Sequence, residues 1–221
     1  MSDSNPLPSF TPVPPELQKG PSSNPPKYTL WISLLHYVLF KPSAMFAWMG
    51  RQDLFRMVLG LQFFRWHFTA FTTMYSMYAV DSPMFFPPPF GMDPSQYRQI
   101  EVFAYGPYGL VIITAMAWMV FRLGHGHTTR SVLTFRNAWT LVGISYFGPW
   151  VPSLFIDIFL VQFGYGGPAV IIPWHAGIVG AEALLTAVGL MVLYGLPLKR
   201  ALLLGLGSGA MFFSLAGLLM R

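Results

Sequence analysis

Five ionisable side chains stand inside long apolar stretches of this chain: Arg65, His67, Asp157, His175 and Glu182. An unpaired charge at the centre of a membrane helix costs about 2.5–3.5 kcal/mol or more, so each of the five needs a partner or a task. His175 and Glu182 are spaced to lie on one face of a helix, two turns apart. Asp157 is placed to oppose His175, and Arg65 to partner Glu182. A carboxylate and an imidazole in this arrangement exchange protons with a bound ligand such as a quinone headgroup. The same residues also make a polar network that fixes helix register and is satisfied within a bundle. A proton-coupled carrier fits least, because the sequence shows neither repeated halves nor a matched pair of broken helices.

Haem is the sharper cofactor alternative, since two neutral imidazoles on facing helices at one depth hold an iron. His67 and His175 are the candidates within spans, but their expected depths differ by about 8–10 Å at 1.5 Å rise per residue, which argues against a shared iron. Gly124-His-Gly-His127 offers two more imidazoles in a connection, without a carboxylate or thiolate beside them, so they read as solvated and no metal site is expected. The chain has no Cys, which excludes disulfides, thiolate ligation and cysteine nucleophiles of its own. It also lacks a Gly-rich phosphate loop, a nucleophile elbow and a zinc-protease motif. No cofactor is therefore expected, with lipid, quinone or haem as the remaining candidates.

The elements that must position these groups are membrane helices. With 54% hydrophobic and only 10% charged residues, the chain is too apolar for a soluble domain, which would carry about 25% charged residues. A crossing of about 30 Å takes roughly 20 residues of helix. Five segments reach that length, at about 57–80, 107–123, 138–163, 169–194 and 201–220. Pro149 and Pro152 kink the third of them. Before these, eight prolines in residues 1–27 give an extended tail. Residues 28–56, broken by Lys41-Pro42, read as an interfacial helix pair with Trp31, Tyr37 and Trp48 at headgroup depth. The expected fold is all-α: a polytopic integral membrane helical bundle, with about five transmembrane helices (57–221) and the N-terminal interfacial pair.

Small residues suggest which spans touch. Gly205 and Gly209 in the last span match the small-xxx-small spacing, as do Ala176 with Gly180 and Gly177 with Ala181 in the fourth. These faces pack on each other or on a partner. Orientation follows from the basic residues. Lys41, Arg51, Arg56, then Arg122, Arg130, Arg136, then Lys199 and Arg200 all fall in connections on one side of the alternation. The 81–106 loop and the uncharged 164–168 turn fall on the other. This places the N-terminus in the cytoplasm, and it accounts for the net charge of +5 without a nucleic-acid partner.

The order of parts resembles the Yip family, five-span membrane proteins first described as interactors of Rab-type GTPases. The residues carrying the resemblance are Trp31-Ile-Ser-Leu-Leu-His-Tyr-Val-Leu-Phe-Lys-Pro42, Gly124-His-Gly-His127, Gly148-Pro149-Trp150-Val-Pro152 and Leu196-Pro197-Leu-Lys-Arg200. It extends over roughly residues 28–221 and implies a helical membrane scaffold or adaptor without enzymatic activity. The proline-rich leader and the Met-, Phe- and Pro-rich 81–106 loop look like additions to that pattern. The expectation is a non-catalytic scaffold or accessory subunit of a bacterial inner-membrane complex engaged in electron transfer. Other membrane subunits and lipids are its expected partners, reached through the leader, the 81–106 loop and the small-residue faces. A quinone- or haem-binding anchor of a redox complex is the alternative.

Overall fold

The fold, taken from a computed structural model, describes residues 39–50, 53–74 and 87–219. Among these residues every regular element is helical: α1 (Pro42–Met49), α2 (Phe55–Thr69), α3 (Pro94–Gly124), α4 (Phe135–Ser145), α5 (Trp150–Gln162), α6 (Pro168–Tyr194) and α7 (Leu198–Leu219). A π-helical turn, Ala70–Met74, extends α2, and a 3-10 turn, Pro89–Gly91, precedes α3.

Local chemistry sets the helix ends. The Asp93 side chain accepts from the backbone N–H of Ser95 at 2.9 Å and of Gln96 at 3.2 Å, and Pro94 follows at the first helical position. The Ser95 hydroxyl and these two N–H groups hold the Asp93 carboxyl below the usual carboxylate range. Thr134 caps α4 through Asn137 N–H at 3.2 Å. Pro168 opens α6, and Gly195, left-handed at φ 66°, closes it. The last turn of α6 is also strapped from outside. Thr129 and Arg130 N–H groups donate to the Tyr194 carbonyl at 2.9 and 3.2 Å, and the Thr129, Ser131 and Arg130 side chains donate to Gly195, Leu193 and Val192 carbonyls. The guanidinium at that helix end complements its negative pole.

Among the described residues three helices, α3, α6 and α7, are long and apolar enough to cross a membrane. There are four such spans if α4 and α5, bent by 42°, count as one. Pro149 and Pro152 lack N–H groups, so the carbonyls of Ser145 and Gly148 lose their helical donors, and residues 146–149 form a turn instead. The expected spans at 107–123, 169–194 and 201–220 fall on α3, α6 and α7, and the one at 138–163 falls on the bent pair. The expected first span coincides with α2, whose 15 residues are too few to cross alone, and with its π-turn; residues 75–80 lie outside the described residues. The leader and the first member of the expected interfacial pair also lie outside them, and the second member corresponds to α1.

One expectation is corrected. Residues 94–106 are not part of a loop but the first three turns of α3, which continues through Pro107 to Gly124. The physical reason is the Asp93-Pro94 start, a capping side chain followed by a residue preset for the first helical position.

Glycines let the helices approach. A Cβ at Gly109 would overlap the Trp66 indole, one at Gly205 would meet the Ala183 carbonyl oxygen and lie 3.1 Å from the Ala187 methyl, and one at Gly143 would lie 2.5 Å from Val58 Cγ1. These contacts pack α2 on α3, α7 on α6 and α4 on α2, the close backbone approach that membrane helices use in place of a hydrophobic driving force. One end of the bundle gathers the start of α2, the end of α3, the start of α4, the end of α6 and the start of α7. There Arg136 pairs with Asp53 and covers the Phe55 ring at 5.2 Å, and the strap holds α6.

Candidate functional site

Glu182 lies at the middle of α6, completely buried, and Arg65 reaches it from α2 at 3.2 Å with its side chain 6% exposed. Sequence places Arg65 beside Trp66, and this neighbour fixes the backbone there. The Trp66 indole fills the gap left by Gly109, its Nε1–H donates to Gln62 Oε1 at 3.0 Å, and Gln62 Nε2 in turn donates to the Gly143 carbonyl. A chain of hydrogen bonds thus joins α2 to α4 one turn before the arginine. The guanidinium carbon lies 5.1 Å from the Trp66 ring centroid and 5.9 Å from those of Trp150 and Phe212. Three rings therefore face the cation, each adding a cation–π attraction that strengthens with desolvation.

The ion pair is close but incompletely satisfied. Among the described residues, Glu182 Oε1 has the 3.2 Å contact with Arg65 Nη2 as its one polar neighbour, while Glu182 Oε2, Arg65 Nη1 and the buried Ser145 hydroxyl at the end of α4 have no hydrogen-bond partner. The hydroxyl of Tyr146, the next residue, pairs with Ser208 of α7 at 3.1 Å. Ser208 donates onward to the Gly205 carbonyl at 2.6 Å.

A second cluster ties α5 to α6. Asp157 accepts from Trp174 Nε1 at 2.7 Å, lies 3.2 Å from His175 Nε2 and takes the Ser153 hydroxyl at 3.4 Å. Nearer the turn before α5, Trp150 Nε1 donates to the Thr69 hydroxyl of α2 at 2.9 Å. Tyr105 of α3 is buried and packs on Trp66 with ring centroids 5.2 Å apart, and Glu101, one turn earlier on the same helix, is buried as well.

The structure thus brings Arg65 to Glu182 and Asp157 to His175. It does not bring His67 to His175. His67 stacks on Phe63 at 4.0 Å, donates Nδ1–H to the Phe63 carbonyl at 2.8 Å and abuts Gly106. His125 bonds the Leu133 carbonyl at 3.1 Å, and His127 is exposed. Among the described residues no three His, Asp or Glu side chains gather as metal ligands. Of the small residues, Gly205 and Gly209 pack on α6, where they meet Val179, Ala183 and Ala187. Ala176, Gly177 and Ala181 are exposed, and Gly180 is half-buried with open space where its Cβ would stand. The α6 side of the seam is therefore Ala183 and Ala187, four residues apart, rather than the stripe two turns earlier.

Sequence reading missed Gln62, Trp66, Glu101, Tyr105 and Tyr146. Only Glu101 and Tyr105 had a usable signal, the Asp93-Pro94 cap that would have put both inside a helix. No family model matches the chain, and neither does any curated protein or solved structure.

Proposed function

We propose that the chain is a multi-pass protein of the bacterial cytoplasmic membrane, with five spans and a cytoplasmic N-terminus, acting as a non-catalytic scaffold or accessory subunit of an electron-transfer complex. One observation carries this reading. The intramembrane ionisable groups are distributed as ties between the chain's own helices, Arg65 to Glu182 across α2 and α6 and Asp157 to His175 across α5 and α6, instead of converging on one reactive centre. Such ties fix register in a lipid environment, where a misplaced charge is costly. The basic residues at one end of the bundle support the orientation, since Arg and Lys are retained on the cytoplasmic side. The resemblance to the Yip family points to the same class of role.

The uncovered stripe Ala176, Gly177, Gly180 and Ala181 supplies the contact face, because a partner helix can approach an α6 backbone that carries only small side chains. The test is affinity capture of the tagged chain from membranes in mild detergent. The native chain retains a membrane protein at fixed stoichiometry, and Gly177→Leu with Gly180→Leu releases it while the chain stays folded. Retention of the same partner by the double variant contradicts the role given to this face.

The alternative is a quinone-binding anchor, favoured by one feature: the His175 side chain is 27% exposed beside Asp157 and Trp174 and offers a polar edge toward lipid. Quinone affinity unchanged by His175→Ala removes that reading.

A further inference from the structure

The scaffold reading uses Arg65 and Glu182 as a tie, yet the pair is built in a way that a tie does not require. A buried ion pair is stable when its lone pairs and protons are all hydrogen-bonded, because both ions have lost their water. Here Glu182 Oε1 meets only Arg65 Nη2, at 3.2 Å, and Glu182 Oε2 and Arg65 Nη1 lack hydrogen-bond partners among the described residues. The guanidinium, by contrast, has a second source of stabilisation in the faces of Trp66, Trp150 and Phe212. The cation can keep its charge without the carboxylate, and the carboxylate depends on the cation alone. Of the two groups, Glu182 is the one able to change protonation state.

We propose that Glu182 is a reversible proton-binding group inside the bundle, loaded from the 164–167 end through the Asp157–His175 pair. The route rests on placement. His175 lies two turns from Glu182 on α6, about 10 Å nearer the 164–167 turn at 1.5 Å per residue, and is partly exposed beside Asp157. The proton enters from water at that end, passes from the His175–Asp157 pair and adds to a Glu182 carboxylate oxygen. The site then carries the Arg65 charge alone.

Arg65 from α2 is the group in contact with Glu182; the titratable groups of the surrounding elements are the buried Glu101 and Tyr105 of α3, Tyr146 of the turn after α4, whose hydroxyl pairs with Ser208, and Asp157 of α5. The charges of α7, Lys199 and Arg200, lie in its first turn at the basic end, and α1 carries none. Loading dissolves the α2–α6 tie and gives a scaffold a packing that follows proton supply.

The experiment uses the full chain in lipid nanodiscs with glutamate labelled at the side-chain carboxyl carbon, read by NMR as pH is varied. The chain has three glutamates, Glu16, Glu101 and Glu182. Glu16→Gln and Glu101→Gln assign the Glu182 signal in a protein that retains it, so the test does not depend on the folding of Glu182→Gln. The expected result is a Glu182 signal that titrates reversibly while the protein stays folded. A signal that remains in one protonation state throughout overturns the proposal. Asp157→Asn and His175→Ala are expected to slow proton exchange at Glu182 severalfold, and an unchanged rate overturns the route.

Discussion

At the scale of single residues, membrane burial turns each ionisable side chain into a constraint. Arg65 is tolerated because three aromatic faces and one carboxylate surround it, and Asp157 because two ring N–H groups reach it. Removing one partner of a buried pair leaves an uncompensated charge and costs about 3–5 kcal/mol, whereas apolar replacement of both is often neutral. Glu182→Met alone is expected to lose about 3 kcal/mol, the lower end of that range, because the rings still face Arg65. Adding Arg65→Met recovers most of the loss. Unfolding titrations in detergent micelles check this, and a double variant as unstable as the sum of its parts contradicts the pairing. Both pairings were legible in the sequence because charge in an apolar run demands a counterpart. The aromatic cage was not, since Trp150 and Phe212 lie far from Arg65 in the chain and no local spacing relates them.

At the scale of elements, helix ends and breaks decide where those residues meet. The α4–α5 break was readable from Pro149 and Pro152, because a missing N–H acts locally. The strap of residues 129–131 across the end of α6 was not, because its bonds join segments more than sixty residues apart through backbone carbonyls that look alike in any sequence. The same distance effect left the small-residue stripe open: spacing identifies small-xxx-small pairs but not what each one faces, and in the fold Gly205 and Gly209 of α7 meet Ala183 and Ala187 while Ala176, Gly177 and Ala181 stay exposed. Gly195 is the residue on which the strap depends. Its φ is 66°, and a Cβ there would collide with the Thr129 hydroxyl and lie 2.8 Å from Arg130 Cγ. Gly195→Ala combines a left-handed conformation costing about 1–2 kcal/mol with this collision. The variant is expected to lose at least that much stability and to expose the Thr129 and Arg130 amides to hydrogen exchange. Unchanged protection of those amides contradicts the strap.

At the scale of the whole molecule, the bundle is closed by glycine seams and internal charge pairs, while Trp118, Phe155, Phe159 and Phe163 remain exposed on its outside, as suits a surface in contact with lipid. Composition pointed to the membrane setting, in keeping with three or four helices among the described residues long and apolar enough to cross, because it is a sum over many residues and survives local misreadings such as that of residues 94–106. The central claim is that this bundle supports other proteins instead of housing a reaction of its own. Native mass spectrometry of particles released gently from membranes tests it most directly. The expected particle holds the 24.8 kDa chain together with at least one other protein at fixed ratio. Release of the chain with only lipid, or with a haem or quinone and no protein partner, would contradict it.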